Sequence, residues 1–452
     1  MRLLNSIKNA TVATIMNVIV ILMGFIVQKI FVIHLGSEYL GLNGLFNNIL
    51  SILSVVELGF GSAMVYHLYK PVYDNDKIKI NLLLKYYKKI YRIITIIIVC
   101  LGIIIMPFIK SIIGNISISD SIYVLYLLAL FDIAVSYLLT YKRSILYANQ
   151  KTYIINIIHI FYVVLLNLVE IFVLILLKNY MIYLVVKIIF RLLENIIINI
   201  ISNKMYPYIC RKNNYTIDNR TKKDIIQKVK GLAFHRIGGA LVLGTDNIII
   251  SYFFGVIKVG IYSNYNLIIS AVTNLFGQVF SSITASVGNL LIENDRKKSL
   301  QIYNRILFAN SWLYCIAATC IICLIEPFIS IWMGTDYLLP TSVLIVIVLN
   351  FYLQGLRKTS AIFKEAAGIF FEDRYMPLIE SLINIVASIV LAKYLGLIGI
   401  FIGTVLSSLV LFLYSYPVLV YKKLFRRKYS EFFLKHIKYI IISMGIVMFS
   451  MF

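Results

Sequence analysis

Long apolar segments recur along the whole chain, and short connections separate them. A helix needs roughly 20 apolar residues to cross the ~30 Å hydrocarbon core of a bilayer. Twelve runs are suited to this: 10–33, 40–66, 91–109, 121–141, 152–177, 181–201, 232–254, 261–291, 306–326, 338–356, 375–395 and 397–421. A thirteenth run, 437–452, has only sixteen residues. Because unpaired backbone groups are costly in lipid, we predict an all-α polytopic membrane protein with a partial thirteenth C-terminal span.

The composition excludes several classes of protein. Hydrophobic residues make up 60% of the chain and charged residues 14%, whereas soluble domains have roughly 45–50% and about 25%. A soluble enzyme, a disordered protein and a secreted disulfide scaffold are therefore excluded. The net charge of +23 would suggest nucleic acid in a soluble protein. Here we expect no nucleic acid, because Lys and Arg accumulate in cytoplasmic connections and meet anionic membrane lipids there.

Basic residues occupy alternate connections between the predicted spans. The N-terminus and every second connection hold 35 of the 43 Lys and Arg residues, whereas the other connections hold only four. This asymmetry predicts a multi-pass protein of the cell membrane with a cytoplasmic N-terminus. The predicted external connections are very short, which leaves no room for an external catalytic domain.

A glycine pair recurs in the two halves of the chain. Gly36 and Gly41 lie at the outer end of the first span, and Gly255 and Gly260 lie 219 residues later, at the outer end of the seventh. At the same spacing, Asn47 corresponds to Asn266 and Ser51 to Ser270. Two blocks of six spans face the same way, so we predict two six-helix lobes related by a pseudo-two-fold axis along the membrane normal. Such lobes enclose a cleft, which is typical of alternating-access transporters.

The repeat also predicts how the chain is divided. We expect an N-terminal six-helix lobe, a cytoplasmic linker, a C-terminal six-helix lobe, and a basic connection followed by the last span. These four parts are 1–201, 202–230, 231–421 and 422–452.

Charged residues inside the predicted spans are candidates for function, because each costs roughly 2.5–3.5 kcal/mol at the bilayer centre on the insertion scale. Glu170 and Lys187 lie at similar depth in neighbouring spans, so we expect them to form a structural ion pair. Lys187 and Arg191 are four residues apart and share a helix face. Glu194 continues that stripe, and we expect it to balance Arg191.

Four further charges have no evident partner at matching depth. We expect Glu57 and Asp246 to serve in coupling or gating, and Lys29 and Arg236, near opposite mouths of the predicted cleft, to bind substrate. Lys187 and Arg191 are the next candidates for substrate binding. The alternative is that all of these residues are polar contacts between helices.

Catalytic motifs are not evident. Asp74-Asn75-Asp76 resembles the D-x-D of metal-using glycosyltransferases, but it lies in a short basic connection without a nucleotide-binding fold around it. H-E-x-x-H, Walker A and G-x-S-x-G patterns do not occur. We therefore expect neither catalytic residues nor a metal site, and a protein that is not an enzyme.

Several strings in the chain resemble one family of transporters. They are Tyr39-Leu-Gly-Leu-Asn43-Gly-Leu-Phe46, Glu57-Leu-Gly-Phe-Gly61-Ser-Ala63, Leu68-Tyr-Lys-Pro71, Lys88-Lys-Ile-Tyr-Arg92 and Lys364-Glu-Ala-Ala-Gly368. The ordered set resembles the polysaccharide flippases of capsule and O-antigen clusters, within the multidrug/oligosaccharidyl-lipid/polysaccharide exporter superfamily. The resemblance runs from about residue 5 to about residue 425 and is strongest in the first three spans and in 357–380.

The resemblance implies a fold, a substrate and partners. The fold would have two lobes of six helices, and the substrate would be an oligosaccharide on undecaprenyl diphosphate, moved from the inner to the outer leaflet. No cofactor is implied beyond a coupling ion, H⁺ or Na⁺. Polysaccharide polymerase and glycosyltransferases are the implied protein partners. A diphosphate fits Arg and Lys side chains in a desolvated cleft, because charge-assisted hydrogen bonds are strong there.

Two alternatives remain open at this point. One is a cation-coupled small-molecule or drug antiporter of the same superfamily, which would need acidic residues and little net positive charge in its cleft. The other is a membrane glycan polymerase, which usually carries a large external loop.

The charge asymmetry gives a testable topology. A single cysteine at position 220, in a chain otherwise free of cysteine, should be labelled by a membrane-impermeant maleimide only after the cells are permeabilised. A cysteine at position 258, in a predicted external connection, should be labelled in intact cells. The reverse labelling pattern would show that the orientation is wrong.

Overall fold

The computed structural model describes residues 2–57, 60–114, 116, 118–211, 217–292, 295–369 and 372–450, and this part of the chain contains helices and no strand. The α-helices are α1 (Arg2–Leu53), α2 (Phe60–Tyr73), α3 (Lys77–Ile113), α4 (Ile122–Leu138), α5 (Arg143–Ala148), α6 (Thr152–Leu176), α7 (Tyr180–Met205), α8 (Asn219–Phe254), α9 (Val256–Ile292), α10 (Arg296–Trp332), α11 (Thr341–Leu356), α12 (Lys358–Ala366), α13 (Met376–Leu395), α14 (Leu397–Val410) and α15 (Tyr429–Phe449). The prediction of an all-α protein is confirmed.

Within the described ranges, nine helical segments are long and apolar enough to cross a membrane. One of them, Thr11–Glu57, has 47 residues and would measure about 70 Å at 1.5 Å per residue. That is enough for two spans, and Gly36, with φ 83° and ψ 178°, breaks the helix between them. The polytopic character predicted from the apolar runs is therefore confirmed.

The last helix is longer than the sequence predicted. The apolar run 437–452 led us to expect a partial span, but α15 begins at Tyr429 and has 21 residues. Its first turns are polar along part of their surface, so an apolar run does not detect them. They are nevertheless anchored, because Phe432 and His436 are fully buried. The predicted last span is therefore present, and α15 is long enough to cross the membrane.

Contacts divide the chain into two compact units, Met1–Arg236 and Ile237–Phe452, and the boundary falls inside α8. The segment 202–230 contains the end of α7, a short 3₁₀ turn at Pro207–Cys210 and the first turns of α8. The exact bounds of lobes and linker remain a prediction.

The two units repeat the same order of helices. Gly36 and Gly255, the glycines on which the repeat was proposed, both break a helix with a positive φ, 83° and 82°. Only glycine adopts this conformation without steric cost. α3 and α10 also correspond, since each has 37 residues and they begin 219 residues apart.

An aspartate precedes the first residue of each of these two helices and caps it. Asp76 accepts a hydrogen bond from the backbone N–H of Lys79 (2.8 Å), and Asp295 accepts one from Lys298 (3.0 Å). A side-chain oxygen at this position satisfies a backbone donor that has no partner within the helix. In Asp74-Asn75-Asp76, the last aspartate therefore caps α3, and the D-x-D pattern has a structural explanation.

Small residues let α13 and α14 pack closely in the second unit. A Cβ atom added to Gly403 would lie 2.4 Å from Ser388 Oγ and 2.7 Å from its Cα. A Cβ atom added to Gly399 would lie 2.1 Å from the carbonyl oxygen of Leu391. Membrane helices associate largely through such close backbone approach, since the hydrophobic effect does not hold them together in lipid.

We predict that Gly403→Ala destabilises the protein by about 1–3 kcal/mol, because the added methyl group meets the backbone of α13. The matched control is Gly445→Ala in α15, where an added Cβ atom has no neighbour within 4 Å. That change should be neutral or stabilising by up to about 1 kcal/mol, since alanine favours helix over glycine. Thermal unfolding of the purified full chain measures both, and equal melting temperatures for the two variants would contradict the packing described here.

Candidate functional site

Two cations and one carboxylate meet between α4 and α7 of the first unit. Arg191 donates from Nε to Asp132 Oδ1 at 2.6 Å, and Lys187 Nζ lies 3.9 Å from Asp132 Oδ2. Asp132 is buried, and the two cations, one helical turn apart, approach it from the same face of α7. These three side chains carry two positive charges and one negative charge, and the buried Glu170 and Glu194 also interact electrostatically with Lys187 and Arg191.

This cluster opens into a cavity of about 360 Å³, here called cavity A. Its other lining residues are mostly small and polar: Asn43, Asn47, Leu50, Ser51, Ser54, Ala129, Ile133, Ser136, Tyr137 and Leu184. Lys187, Arg191 and Asp132 are the charged residues that line it. Asn47 and Ser51, which belong to the repeat found in the sequence, face the same cavity. A polar, net positive cavity among apolar helices is suited to an anionic group.

A second cluster surrounds Glu194, one turn beyond Arg191 on α7. Arg143 Nη2 lies 3.3 Å from Glu194 Oε2, and His159 Nδ1 lies 2.9 Å from Glu194 Oε1. Arg143 also donates to Asn195 Oδ1 at 3.0 Å. Glu194 is buried, so this carboxylate fixes the position of the Arg143 guanidinium.

These ion pairs differ from the expected ones. The ion-pair contacts of Lys187 and Arg191 are with Asp132, and Arg143 contacts Glu194. Glu170 still interacts electrostatically with Lys187, and Glu194 with Arg191. The buried Glu170 is hydrogen-bonded by Tyr183. The expectation rested on equal depth in the membrane, which is readable from the sequence. The rotation of each helix about its own axis also decides which charges meet, and this rotation cannot be inferred from the sequence.

A further cavity of about 490 Å³, here called cavity B, lies in the same unit. It is lined by Gly61, Val65, Tyr69, Tyr91, Thr140, Arg143, Ser144, Tyr147 and Thr152. Cavity A takes residues of α4 from Ala129 to Tyr137, and cavity B takes residues from Thr140 to Tyr147, which follow the end of α4.

Glu57 lies where the two cavities meet. Its carboxylate accepts a hydrogen bond from Tyr91 Oη at 3.2 Å, and the ring of Tyr91 stacks on Tyr137 with centroids 6.4 Å apart. Tyr91 lines cavity B and Tyr137 lines cavity A. Glu57 itself belongs to a 3₁₀ turn, Ser54–Glu57, that interrupts the second span between α1 and α2.

Two of the predicted substrate-binding residues, Lys29 and Arg236, are not among the described residues that line these cavities. Lys29 is partly buried in the first half of α1, and it does not line cavity A or cavity B. Arg236 has a helical backbone in α8, but its side chain lies outside the described residues. A role for either in binding remains a prediction.

Asp246 lies in the second unit, in a buried network of side chains that join α8, α13 and α14. Thr404 Oγ1 donates toward Asp246 Oδ1 (3.2 Å) and toward the carbonyl oxygen of Ile400 (3.3 Å). Asn384 donates to Thr404 Oγ1 at 3.1 Å and accepts from Thr245 Oγ1 at 3.1 Å. A hydroxyl has one proton to donate, so Asp246 shares it with the carbonyl. Within the described ranges, no Lys, Arg or His side chain lies within 4.0 Å of Asp246.

The second unit also holds two buried ion pairs near one another in the sequence. Arg357 Nη1 lies 2.7 Å from Glu380 Oε1, and Lys364 Nζ lies 2.6 Å from Asp373 Oδ2. All four residues are buried. Within 357–380, Arg357, Lys364, Asp373 and Glu380 therefore have a structural role as members of buried ion pairs.

Sequence reasoning missed Arg143, Asn384 and Thr404. Arg143 was counted among the basic residues of a predicted cytoplasmic connection, and only its ion pair with Glu194 shows that it points inward. Asn384 and Thr404 are uncharged residues in apolar runs, so the search for intramembrane charges passed over them. The available signal was the presence of polar residues, such as Asn384 and Thr404, in otherwise apolar spans at the end of the chain's second half.

Comparison with known proteins places the fold. No family model and no curated protein matches the chain. Among solved structures, an inward-facing multidrug resistance MATE family transporter of the MOP superfamily is 15% identical, covers 89% of this chain and 95% of its own, and gives a TM-score of 0.64. The lipid II flippase MurJ in an inward closed conformation is 18% identical, with coverages of 97% and 96% and a TM-score of 0.63.

A third similar structure is a MOP superfamily transporter from Pyrococcus furiosus. It is 14% identical, covers 90% of this chain and 91% of its own, and gives a TM-score of 0.58. The binding pocket of that protein has reversed polarity, which suggests a different function for it. The chain therefore shares the fold of these transporters.

Proposed function

We propose that this protein is a flippase that moves an oligosaccharide linked to undecaprenyl diphosphate from the inner to the outer leaflet by alternating access. Its product would enter the synthesis of capsule, O-antigen or exopolysaccharide. Polysaccharide polymerase and the glycosyltransferases that build the repeat unit would be its partners. The fold is compatible with this function, since one of the similar structures is a lipid II flippase.

The observation that carries the proposal is the net positive charge of cavity A. Keeping both Lys187 and Arg191 in a membrane-embedded helix costs several kcal/mol, and Asp132 is the one carboxylate that lines the cavity with them. An anionic ligand in the cavity would contact two cations and a single carboxylate. A diphosphate suits this pair, because the planar Arg191 guanidinium and the mobile Lys187 ammonium can each donate charge-assisted hydrogen bonds.

A cation-coupled small-molecule antiporter is the second candidate. Asp246 is the observation that favours it, since a buried carboxylate without a cationic partner among the described residues suits a positive ligand. Cavity A favours the flippase, because a cationic drug would be repelled by its net charge. The polarity of cavity A therefore supports the flippase over the antiporter, and it can be altered by mutation.

We predict that neutralising cavity A abolishes glycan export without unfolding the protein. The variant is Asp132→Asn/Lys187→Gln/Arg191→Gln, which removes the three charges that line cavity A together rather than one partner of an ion pair. Export should fall at least about 10-fold, the equivalent of about 1.4 kcal/mol of binding energy. Surface glycan is measured alongside the amount of protein in the membrane.

The matched control is Lys258→Gln, which removes one exposed cation from a predicted external connection. Normal export by the triple variant at normal accumulation would contradict the diphosphate site. Lys29→Gln and Arg236→Gln would then be tested in the same assay, because they are the other predicted cations. Export of a cationic dye instead of glycan would favour the antiporter.

For the coupling ion we propose a site at Asp246 that takes H⁺ or Na⁺. The donor set fits a hard cation, which prefers oxygen ligands: the Asp246 carboxylate, the Asn384 amide oxygen and the Thr404 hydroxyl lie in one hydrogen-bonded network. These residues would hold the ion, and a bound cation would neutralise the buried carboxylate.

We predict that sodium raises the melting temperature of the wild-type protein relative to choline at equal ionic strength, and that Asp246→Asn removes this difference. A ligand at about 100 times its Kd stabilises by about 2.7 kcal/mol. The control is Asp336→Asn, which alters an exposed aspartate of the same unit. If sodium has no effect on the wild type but Asp246→Asn still blocks transport, the ion is H⁺. Normal transport by Asp246→Asn would contradict the site.

A further inference from the structure

Cavity B has a different chemistry from cavity A. Three tyrosines line it, Tyr69, Tyr91 and Tyr147, together with the hydroxyl residues Thr140, Ser144 and Thr152. Tyr69 and Tyr147 are 51% and 39% exposed, whereas Tyr91 is buried. Two ring faces are therefore available to a ligand, and the third ring forms part of the wall toward cavity A.

Arg143 is the charged residue that lines this cavity. Glu194 and Asn195 both contact one of its terminal nitrogens, Nη2, at 3.3 and 3.0 Å. Its Nε atom is buried and has no hydrogen-bond partner. Because Glu194 compensates the charge, Arg143 presents a fixed, neutralised hydrogen-bond donor to cavity B rather than a net positive charge.

This combination of groups suits a sugar better than a phosphate or a lipid tail. A pyranose ring has an apolar C–H face and a rim of hydroxyls. Tyrosine offers a large apolar face with a polar tip, and it loses little conformational freedom on binding. Threonine, serine and arginine groups around the rings can exchange hydrogen bonds with the sugar hydroxyls. An acyl chain would leave these polar groups unpaired.

The two cavities are also neighbours. Tyr91, which lines cavity B, stacks on Tyr137, which lines cavity A, with ring centroids 6.4 Å apart. In a lipid-linked oligosaccharide the first sugar is bonded directly to the diphosphate. A subsite for that sugar must therefore adjoin the diphosphate subsite, as cavity B adjoins cavity A.

We propose that cavity B is the glycan subsite of the first unit, in which Tyr69 and Tyr147 stack on the sugars nearest the diphosphate and Arg143 donates to their hydroxyls. This inference rests on the proposed function, because it assigns the diphosphate to cavity A. It makes Tyr69 and Tyr147 determinants of affinity for the glycan and not for the lipid carrier.

The test measures two dissociation constants on the purified full chain in nanodiscs. One probe is undecaprenyl diphosphate, and the other is the lipid-linked oligosaccharide fraction extracted from the cells that produce the protein. The wild type should bind the glycan-bearing lipid roughly 10-fold more tightly, from two stacking contacts. In Tyr69→Ala/Tyr147→Ala this ratio should fall to about 1, while the Kd for undecaprenyl diphosphate stays unchanged.

Two controls separate the causes. Tyr123→Ala in α4 removes a tyrosine that is 37% exposed and lines neither cavity, and it should leave the ratio intact. Tyr147→Phe keeps the ring and should keep most of the preference, whereas loss through Tyr147→Phe would assign the effect to the hydroxyl and overturn stacking. Unchanged binding of undecaprenyl diphosphate shows that each variant is folded.

The outcomes for this inference and for the proposed function are distinct. If the wild type binds both lipids but the double alanine variant keeps the ratio, the sugars bind elsewhere and only the present inference is overturned. A wild-type ratio of 1 overturns it as well. If the wild type binds neither lipid, the proposed function fails, and the assignment of cavity B fails with it.

Discussion

The cost of placing charge in hydrocarbon governs this structure more than any other interaction. Each charged residue in a span must find a partner, a polar cavity or a ligand. In the first unit this requirement produces the Asp132 and Glu194 clusters, which hold Arg191 and Arg143 at fixed positions on cavity A and cavity B. Because Asp132 contacts two cations at once, the side chains that line cavity A carry more positive than negative charge. The proposed diphosphate site depends on that imbalance.

The two units share an order of helices but differ in the polar groups of their interiors. Both units break their first long helix at a glycine of positive φ and begin the third helix with an aspartate cap. In the first unit the interior charges are shared between cations and carboxylates around open cavities. In the second unit the corresponding helices pack tightly through glycine and serine, and Asp246 is held by hydroxyl and amide groups. One backbone design thus supports a substrate site in one unit and an ion site in the other, according to the proposals made above.

The ion pairs show which features of the site can be predicted from the sequence and which cannot. Lys187 and Arg191 were placed on one face of a helix from their spacing of four residues, and the structure has them together on cavity A. Their contact with Asp132 was not predicted, because Asp132 comes from α4, and nothing in the spacing of α6 and α7 indicates how these helices are rotated against it. Arg143 was missed for the same reason. Its position in a basic connection indicated a solvated residue, but the short helix α5 turns it toward Glu194.

The sequence by itself determined the helices, their membrane-spanning character and the repeat, because these depend on local quantities: apolar length, glycine conformation and helix capping. It also identified the charges that the membrane disfavours. Only the tertiary structure decided which charges meet, which cavities they line and that α15 extends to full length, anchored by the buried Phe432 and His436. Those features depend on the rotation and packing of helices far apart in the chain, and such contacts arise from complementary surfaces that no local pattern encodes.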